Sequence, residues 1–176
     1  MPHQRPAESA VPQSVTFSMT RLIEAPRARV WDMHSQARHL EKWWGPAGCT
    51  LEVVSLDFRP GGMFHYAMHY TTGATMWGRF IYRDITPGDR LVYVSSFANA
   101  EGGIARAPFS PVCPLELLNT LTFADEGDKT RVRLHVVPFG ANAEEIAFFK
   151  ELCNGGLQQG FGGTYGQLDA YLKSSG

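Results

Sequence analysis

Apolar and polar side chains alternate along most of the chain, and this alternation predicts a protein rich in β-strands. Residues 15–23 alternate with the period of two that is typical of a half-buried strand. From residue 50 onward the pattern returns six times, at 50–58, 64–70, 75–85, 90–97, 116–124 and 130–137. In the first of these segments Val54, Leu56 and Phe58 are expected to share one face. Most connections between these segments are short turns containing Gly, Pro or Asp, so neighbouring strands are expected to be antiparallel. The exception is residues 98–114, which we interpret as a long loop.

Three segments have helical spacing instead. A short helix is expected to begin at Pro26, with Val30, Trp31 and Met33 on its apolar side, and a second to cover 35–42. In the last segment, 143–173, apolar residues step by three or four, at Ile146, Phe149, Cys153, Leu157, Phe161, Tyr165, Leu168 and Leu172. Six glycines lie between Gly155 and Gly166. Two interpretations are open and can hold together: the helix breaks near 154–156, and the small residues allow a close approach to the sheet or leave room for a ligand.

The order of elements predicts an α+β fold: one strand, two short helices, six strands and one long C-terminal helix. A curved, seven-stranded antiparallel sheet has one face to bury, and only the C-terminal helix is long enough to cross its concave side. We therefore predict a single domain over residues 14–174, preceded by a flexible tail at 1–13. A cavity is expected between sheet and helix wherever large side chains do not fill the gap.

Composition narrows the classes of function. The chain has 176 residues, of which 44% are hydrophobic and 19% charged, and its net charge is −1. This balance argues against nucleic-acid or membrane partners, which require concentrated Lys and Arg. No apolar run approaches the roughly 20 residues of a membrane span, and residues 1–13 have no signal-like apolar stretch. Three widely spaced cysteines, Cys49, Cys113 and Cys153, indicate reduced thiols and a cytoplasmic location.

Several motifs resemble one known family. The run 22–31, LIEAPRARVW, is similar to the opening of the START-like, helix-grip superfamily, which includes polyketide cyclases, Bet v 1 and lipid-transfer proteins. The runs 43–46 (WWGP) and 57–62 (DFRPGG) resemble one branch, the domain named after the activator of Hsp90 ATPase. Residues 87–93 (PGDRLVY) and 160–161 (GF) agree with it in position. The resemblance covers about residues 15–173 and implies the helix-grip fold.

Two positions depart from that family pattern in the same direction. The family usually has Trp where this chain has Phe161, and commonly has Trp where it has Ser95. Both differences remove bulk and are expected to enlarge the cavity. Relatives include ligand carriers, cyclases, toxin-sequestering proteins and a chaperone activator, so the resemblance identifies the fold better than the activity.

Alternation places a group of polar side chains among the apolar residues of the inner face. Buried hydroxyl and amide groups need partners, which are either each other, the backbone and water, or a ligand. An apolar pocket with a few polar groups is typical of small-molecule sites. The predicted ligand-binding residues are Trp44, Phe64, Tyr66, Met68, Phe80, Tyr82, Tyr93, Ser95, Asn119, Leu121, Leu157 and Phe161.

The sequence offers little for metal binding or acid–base catalysis, and we predict no metal, no cofactor and no catalytic residue. His65 and His69 share a strand face but stand about 13 Å apart, too far for one metal ion. Their face is opposite Phe64, so both are expected to point to solvent. Asp57 and Arg59 are expected to form an exposed ion pair, and no carboxylate falls on the inner face.

Three functions are weighed on these grounds. The leading hypothesis is binding of a hydrophobic small molecule in the cavity. The first alternative is a cyclase- or aldolase-type enzyme, in which Tyr66 or Tyr82 polarises a carbonyl and Asn119 orients it. The second is an Hsp90-interacting module, as the resemblance implies. Trp43 and Trp44 are considered as an exposed patch that allows a homodimer.

Overall fold

The computed structural model describes residues 15–174, and the predicted tail at 1–13 lies outside them. The strands and helices follow the predicted order, with one additional short strand and a divided C-terminal helix. The strands are β1 (Phe17–Ile23), β2 (Cys49–Leu56), β3 (Met63–Tyr70), β4 (Thr75–Thr86), β5 (Arg90–Ala98), β6 (Ile104–Ala105), β7 (Glu116–Glu126) and β8 (Lys129–Phe139). The helices are α1 (Arg27–Ser35), α2 (Ala37–Trp43), α3 (Ala143–Cys153) and α4 (Gly156–Ser174).

A single antiparallel sheet forms the body of the structure, which confirms the predicted α+β helix-grip fold. Its strands run in the order β1-β8-β7-β5-β4-β3-β2, and β6 pairs with β5 from within the predicted long loop. Consecutive strands pair with each other, with two exceptions: β7 pairs with β5 rather than with β6, and β1 joins β8 at one edge. Inward-facing residues of neighbouring strands therefore form rows across the sheet, and two of these rows define the interior described below.

Helices α1 and α2 close one end of the sheet. Pro26 is the N-cap of α1 rather than its first residue, and α1 buries Val30, Met33 and His34. Helix α2 buries Leu40 and Trp43. Because Trp43 is only 1% exposed, it cannot form the exposed tryptophan patch that we considered for a homodimer, and that expectation is wrong. The Trp43 indole instead donates a hydrogen bond to the Met33 carbonyl at 2.9 Å.

The C-terminal helical segment is broken, as the first interpretation of its glycines predicts. Helix α3 ends at Cys153 and α4 begins at Gly156. In α4, a methyl group added at Gly160, Gly162 or Gly163 would meet nothing within 4 Å. These glycines therefore do not mark a close approach to the sheet. The buried face of α4 is formed by Thr164, Tyr165, Leu168 and Leu172.

Polar contacts fix α4 to the turn after α2. The Thr164 hydroxyl donates to the Gly45 carbonyl at 3.1 Å, and the Gln167 amide donates to the same oxygen at 2.6 Å. Gly45 has a φ of 98°, in the left-handed region that favours glycine. The turn that carries Trp44 and Pro46 is therefore held against the helix that it faces.

Two sequence expectations on the outer surface are wrong. A register shift between Val53 and Ser55 turns Val54 outward, where it is 46% exposed, although alternation had placed it with Leu56 on one face. His65 does not point to solvent. The segment after β5 folds over it, and its Nε2 lies 3.0 Å from the Asn99 carbonyl. By contrast, the predicted Asp57–Arg59 pair is confirmed as an exposed ion pair at 2.8 Å.

No helix among the described residues is long and apolar enough to cross a membrane.

Candidate functional site

One half of the interior is filled with aromatic side chains. Phe80 stacks on Tyr93 with ring centroids 3.9 Å apart, and Tyr82 meets Tyr93 edge to face. Five of the residues predicted to bind a ligand lie in this packed core, each 5% exposed or less: Phe64, Phe80, Tyr82, Tyr93 and Leu121. They pack against each other and against the helices, so this half of the sheet and the helix layer are in direct contact.

A buried polar pair lies within the same packed half. His34 Nδ1 lies 2.8 Å from the Val30 carbonyl, and Nε2 lies 3.1 Å from the Tyr165 hydroxyl. A carbonyl only accepts, so Nδ1 carries the proton and Nε2 accepts from Tyr165. Burial lowers the pKa of His34 from 6.5 to about 4, because the charged imidazolium would lose its hydration there. The pair is internally satisfied and faces no open space.

The other half of the interior is hollow. A cavity of about 540 Å³ lies between the strands, the C-terminal helix and the long loop. Its inner wall is formed by inward-facing residues of β3, β4 and β5, among them Tyr66, Gly78 and Ser95. Four of the predicted ligand-binding residues line it: Tyr66, Met68, Ser95 and Phe161. This volume falls within the range of roughly 300–1,000 Å³ typical of small-molecule sites.

Small residues on the inner face leave this space open. Across the sheet, Tyr66, Gly78 and Phe97 form one row, and Phe80, Ser95 and Leu117 belong to the next. Gly78 has no side chain, so the Tyr66 ring lies directly over it. A Cβ at Gly78 would meet Tyr66 Cε2 at 2.7 Å and would be closer still to the Cζ and the hydroxyl oxygen. Gly78 therefore determines where the Tyr66 phenol sits.

The Ser95 hydroxyl is held in place by Asn119. The Asn119 amide nitrogen donates to Ser95 Oγ at 2.8 Å and to the Leu117 carbonyl at 3.1 Å. Because a carbonyl can only accept, the orientation of this amide is determined by its partners. Asn119 is only 2% exposed and does not line the cavity. Its contact with the cavity is made through Ser95.

Trp44, another predicted ligand-binding residue, does not line the cavity and reaches it only through Tyr66. Its ring packs edge to face on Phe80, with centroids 5.3 Å apart. Burial raises the pKa of Tyr66 to about 12, and a hydrogen bond from the Trp44 side chain lowers it in part. The indole N–H is a donor only, so the phenol oxygen of Tyr66 accepts from it. At neutral pH the phenol therefore keeps its own proton.

The long loop forms the outer wall. Phe109, Cys113, Pro114 and Leu115 line the cavity from this side, and Phe109 packs edge to face on Phe97 at 5.8 Å. Phe109 is 63% exposed, the largest exposed fraction among the exposed large hydrophobic residues of the described part of the chain. Phe109 therefore lies at the rim of the cavity, with its ring against Phe97 and partly exposed to solvent.

One buried carboxylate fastens this loop to helix α3. Glu145 accepts from Arg106 Nη1 at 2.8 Å and from the Leu115 amide at 3.2 Å. It also completes a capping box with Asn142 at the start of α3. Hydrogen bonding to Arg106 lowers the pKa of Glu145. The carboxylate therefore stays ionised and ties together both ends of the segment that covers the cavity.

Sequence reasoning missed several lining residues. Conversely, Leu157 was predicted to bind a ligand, but it packs against the core without lining the cavity. Tyr70, Met76, Phe97 and Leu117 share the inner face with predicted residues, so strand alternation contains the signal that finds them. The loop residues have no such periodic signal. Within residues 15–174, no group of three His, Cys, Asp or Glu side chains is arranged as a metal site.

The architecture and its cavity define the class of protein. A curved antiparallel sheet that grips a C-terminal helix, with space between them, is the fold of the START-like superfamily. The sequence matches the family described as Activator of Hsp90 ATPase homolog 1-like protein over residues 24–173. The chain belongs to this family. No curated protein matches it.

Solved structures share the fold. Protein Ms6760 from Mycobacterium smegmatis is 24% identical with a TM-score of 0.73, covering 92% of this chain and 93% of that one. A protein from Arthrobacter aurescens is 25% identical with a TM-score of 0.75, covering 91% and 87%. DynU16, a protein in the dynemicin biosynthetic locus, is 19% identical with a TM-score of 0.59, covering 91% of this chain and 48% of that one. The likeness at these identities concerns the fold.

Proposed function

We propose that this protein binds a hydrophobic small molecule in the cavity between its sheet, its C-terminal helix and the long loop. Membership of the family supports a ligand-binding domain in general. The observation that carries the more specific proposal is the cavity of about 540 Å³, whose lining is mainly apolar and aromatic. Burial of a ligand of this size against such a surface stabilises the complex by roughly 25 cal/mol for each Å² of apolar area removed from water.

The titratable groups in the lining favour binding over acid–base catalysis. They are the phenols of Tyr66 and Tyr70 and the thiol of Cys113. Burial raises the pKa of all three, so each remains protonated at neutral pH. A protonated phenol or thiol donates a hydrogen bond, but its basic form is scarcely populated at neutral pH and so cannot take up a proton. These groups therefore orient a ligand more readily than they abstract its proton.

A bulky side chain at Ser95 tests the proposal. The probe is prodan, an uncharged naphthyl ketone whose emission shifts to shorter wavelength in apolar surroundings. Wild-type protein is expected to bind it with one-to-one stoichiometry. Ser95→Trp places an indole in the cavity and is expected to abolish this binding.

The matched control is Ser18→Trp, which adds the same side chain at an exposed position on β1. It is expected to bind prodan as the wild type does. Equal binding by both variants would show that the dye occupies the surface rather than the cavity, and the proposal would fail.

Three further expectations stay predictions. An Hsp90-interacting role follows only from the family description and is tested by the ATPase rate of an Hsp90 with and without this protein. Homodimerisation no longer has the support of an exposed tryptophan patch and is tested by light scattering. A cytoplasmic location is tested by fractionating cells that express the protein.

A further inference from the structure

The polar groups that face the cavity are all uncharged. Among the described residues, the lining contains no Asp, Glu, Lys, Arg or His side chain. The ion pair that fastens the outer wall is already complete, because Arg106 donates to the Glu145 carboxylate at 2.8 Å. An ionised ligand would therefore leave water without meeting an opposite charge.

Two hydroxyls in the lining are arranged as hydrogen-bond donors. The Ser95 oxygen accepts from the Asn119 amide at 2.8 Å, and the Tyr66 oxygen accepts from the Trp44 indole. A hydroxyl group has one proton and two acceptor positions. The N–H partner of each oxygen is a donor and cannot accept a hydrogen bond, so neither contact uses the hydroxyl proton, which is left to bond a ligand.

Both hydroxyls belong to the same part of the inner face. The Tyr66 phenol lies over Gly78, and Ser95 stands two residues along β5 from Phe97, the residue opposite Gly78. Positions 78 and 95 are diagonal neighbours on this face, a relation that places Cα atoms of adjacent strands about 7–8 Å apart. A ligand with rings between them presents its edge to one or both donors.

We propose that the site selects uncharged, ring-containing ligands that carry a hydrogen-bond acceptor such as a ketone or aldehyde oxygen, and rejects carboxylates of the same shape. This inference rests on the proposed function and specifies the class of ligand. The carbonyl oxygen accepts a hydrogen bond from the Tyr66 or Ser95 hydroxyl, and the rings lie against the methionine and phenylalanine side chains of the lining. A hydrocarbon of the same shape fills the cavity but leaves both donors without a partner.

Three naphthalenes substituted at the same ring position separate these contributions. They are the methyl ketone, the carboxylate and the isopropyl hydrocarbon, and each is titrated against wild-type protein by displacement of prodan. The ketone is expected to bind about 3- to 10-fold more tightly than the hydrocarbon, the value of one or two neutral hydrogen bonds. The carboxylate is expected to bind at least about 30-fold more weakly than the ketone, because it is desolvated without a counter-charge.

Two conservative variants test the donors. Tyr66→Phe and Ser95→Ala each remove one hydroxyl, and in Ser95→Ala the Asn119 amide keeps its bond to the Leu117 carbonyl. The quantity to compare is the ratio of ketone affinity to hydrocarbon affinity within each variant, because general changes in stability or cavity shape cancel in it. This ratio is expected to fall toward one in at least one single variant and to be lost in the double variant.

The outcomes separate this inference from the proposed function. If the carboxylate binds as tightly as the ketone, or the ratio is unchanged in the double variant, the inference is wrong although the cavity still binds ligands. If neither prodan nor any naphthalene binds, the proposed function and the inference both fail.

Discussion

The contact between Gly78 and the Tyr66 ring makes one substitution especially informative. In Gly78→Ala, the new methyl carbon would lie 2.7 Å from Tyr66 Cε2, whereas carbon atoms in ordinary contact are about 3.5–4.0 Å apart. The ring must therefore move by roughly 1 Å or the strands must separate. Such overpacking typically costs about 1–3 kcal/mol. Alanine regains about 0.5–1 kcal/mol because it restricts the unfolded chain more than glycine does, so we expect a net loss of about 1–2 kcal/mol.

The assay is the free energy of unfolding, measured by urea denaturation. The matched control is Gly163→Ala in helix α4, where a methyl group meets nothing within 4 Å. It is expected to stabilise the protein by roughly 0.5–1 kcal/mol, since alanine is the better helix former. The same chemical change thus has opposite signs at the two positions.

A double-mutant cycle identifies the cause. Tyr66→Leu removes the far end of the ring that lies over Gly78, so adding Gly78→Ala in that background is expected to be neutral or stabilising. If Gly78→Ala costs the same with Leu at position 66 as with Tyr, the loss does not come from the ring, and our explanation of the cavity wall is refuted.

Three other predictions concern pH, the loop and the cavity thiol. Burial holds the pKa of His34 at about 4, so as pH falls the unfolded state binds the extra proton before the folded state does. Up to about 3 kcal/mol of the free energy of unfolding is therefore lost between pH 6.5 and 4. Urea denaturation at a series of pH values should show this loss in the wild type and not in His34→Gln. Glu145→Gln is expected to cost about 1–2 kcal/mol through its weakened bonds and to speed hydrogen exchange at the Leu115 amide, whereas Glu144→Gln, at an exposed site, leaves both unchanged. Prodan is expected to slow alkylation of Cys113, which lines the cavity, and to leave alkylation of Cys153 unaffected; equal slowing of both would contradict this position for the ligand.

Strand alternation predicted the inner face well because side chains on a strand alternate strictly between its two faces. It placed Tyr66, Met68 and Ser95 on the inner face, where all three line the cavity. The same rule also placed Phe80 and Tyr93 there, and these two residues stack on each other instead. Alternation gives the face of a residue but not whether its neighbours leave space beside it.

The remaining errors of sequence prediction arise where two contacting residues are distant in sequence, or where the alternation of side chains along a strand is interrupted. A single register shift in β2 moved Val54 to the surface. His65 is buried because a segment more than 30 residues later folds over it, with Asn99 accepting its hydrogen bond. The outer wall of the cavity depends in the same way on Glu145, which lies far along the chain from Arg106. Neither contact has a local pattern from which it can be predicted.

The interior has a packed half and a hollow half because the inward-facing side chains of the sheet differ in size from one end to the other. The sheet and the helix leave a gap along their whole length, and Phe80, Tyr93 and Tyr82 fill it at one end. At the other end Gly78 and Ser95 occupy inner positions of β4 and β5, so the space above them stays open. A tryptophan at position 95 should convert the hollow half into packed core. Whether the interior has room for the proposed ligand is then decided by a few small residues in a sheet whose architecture they do not change.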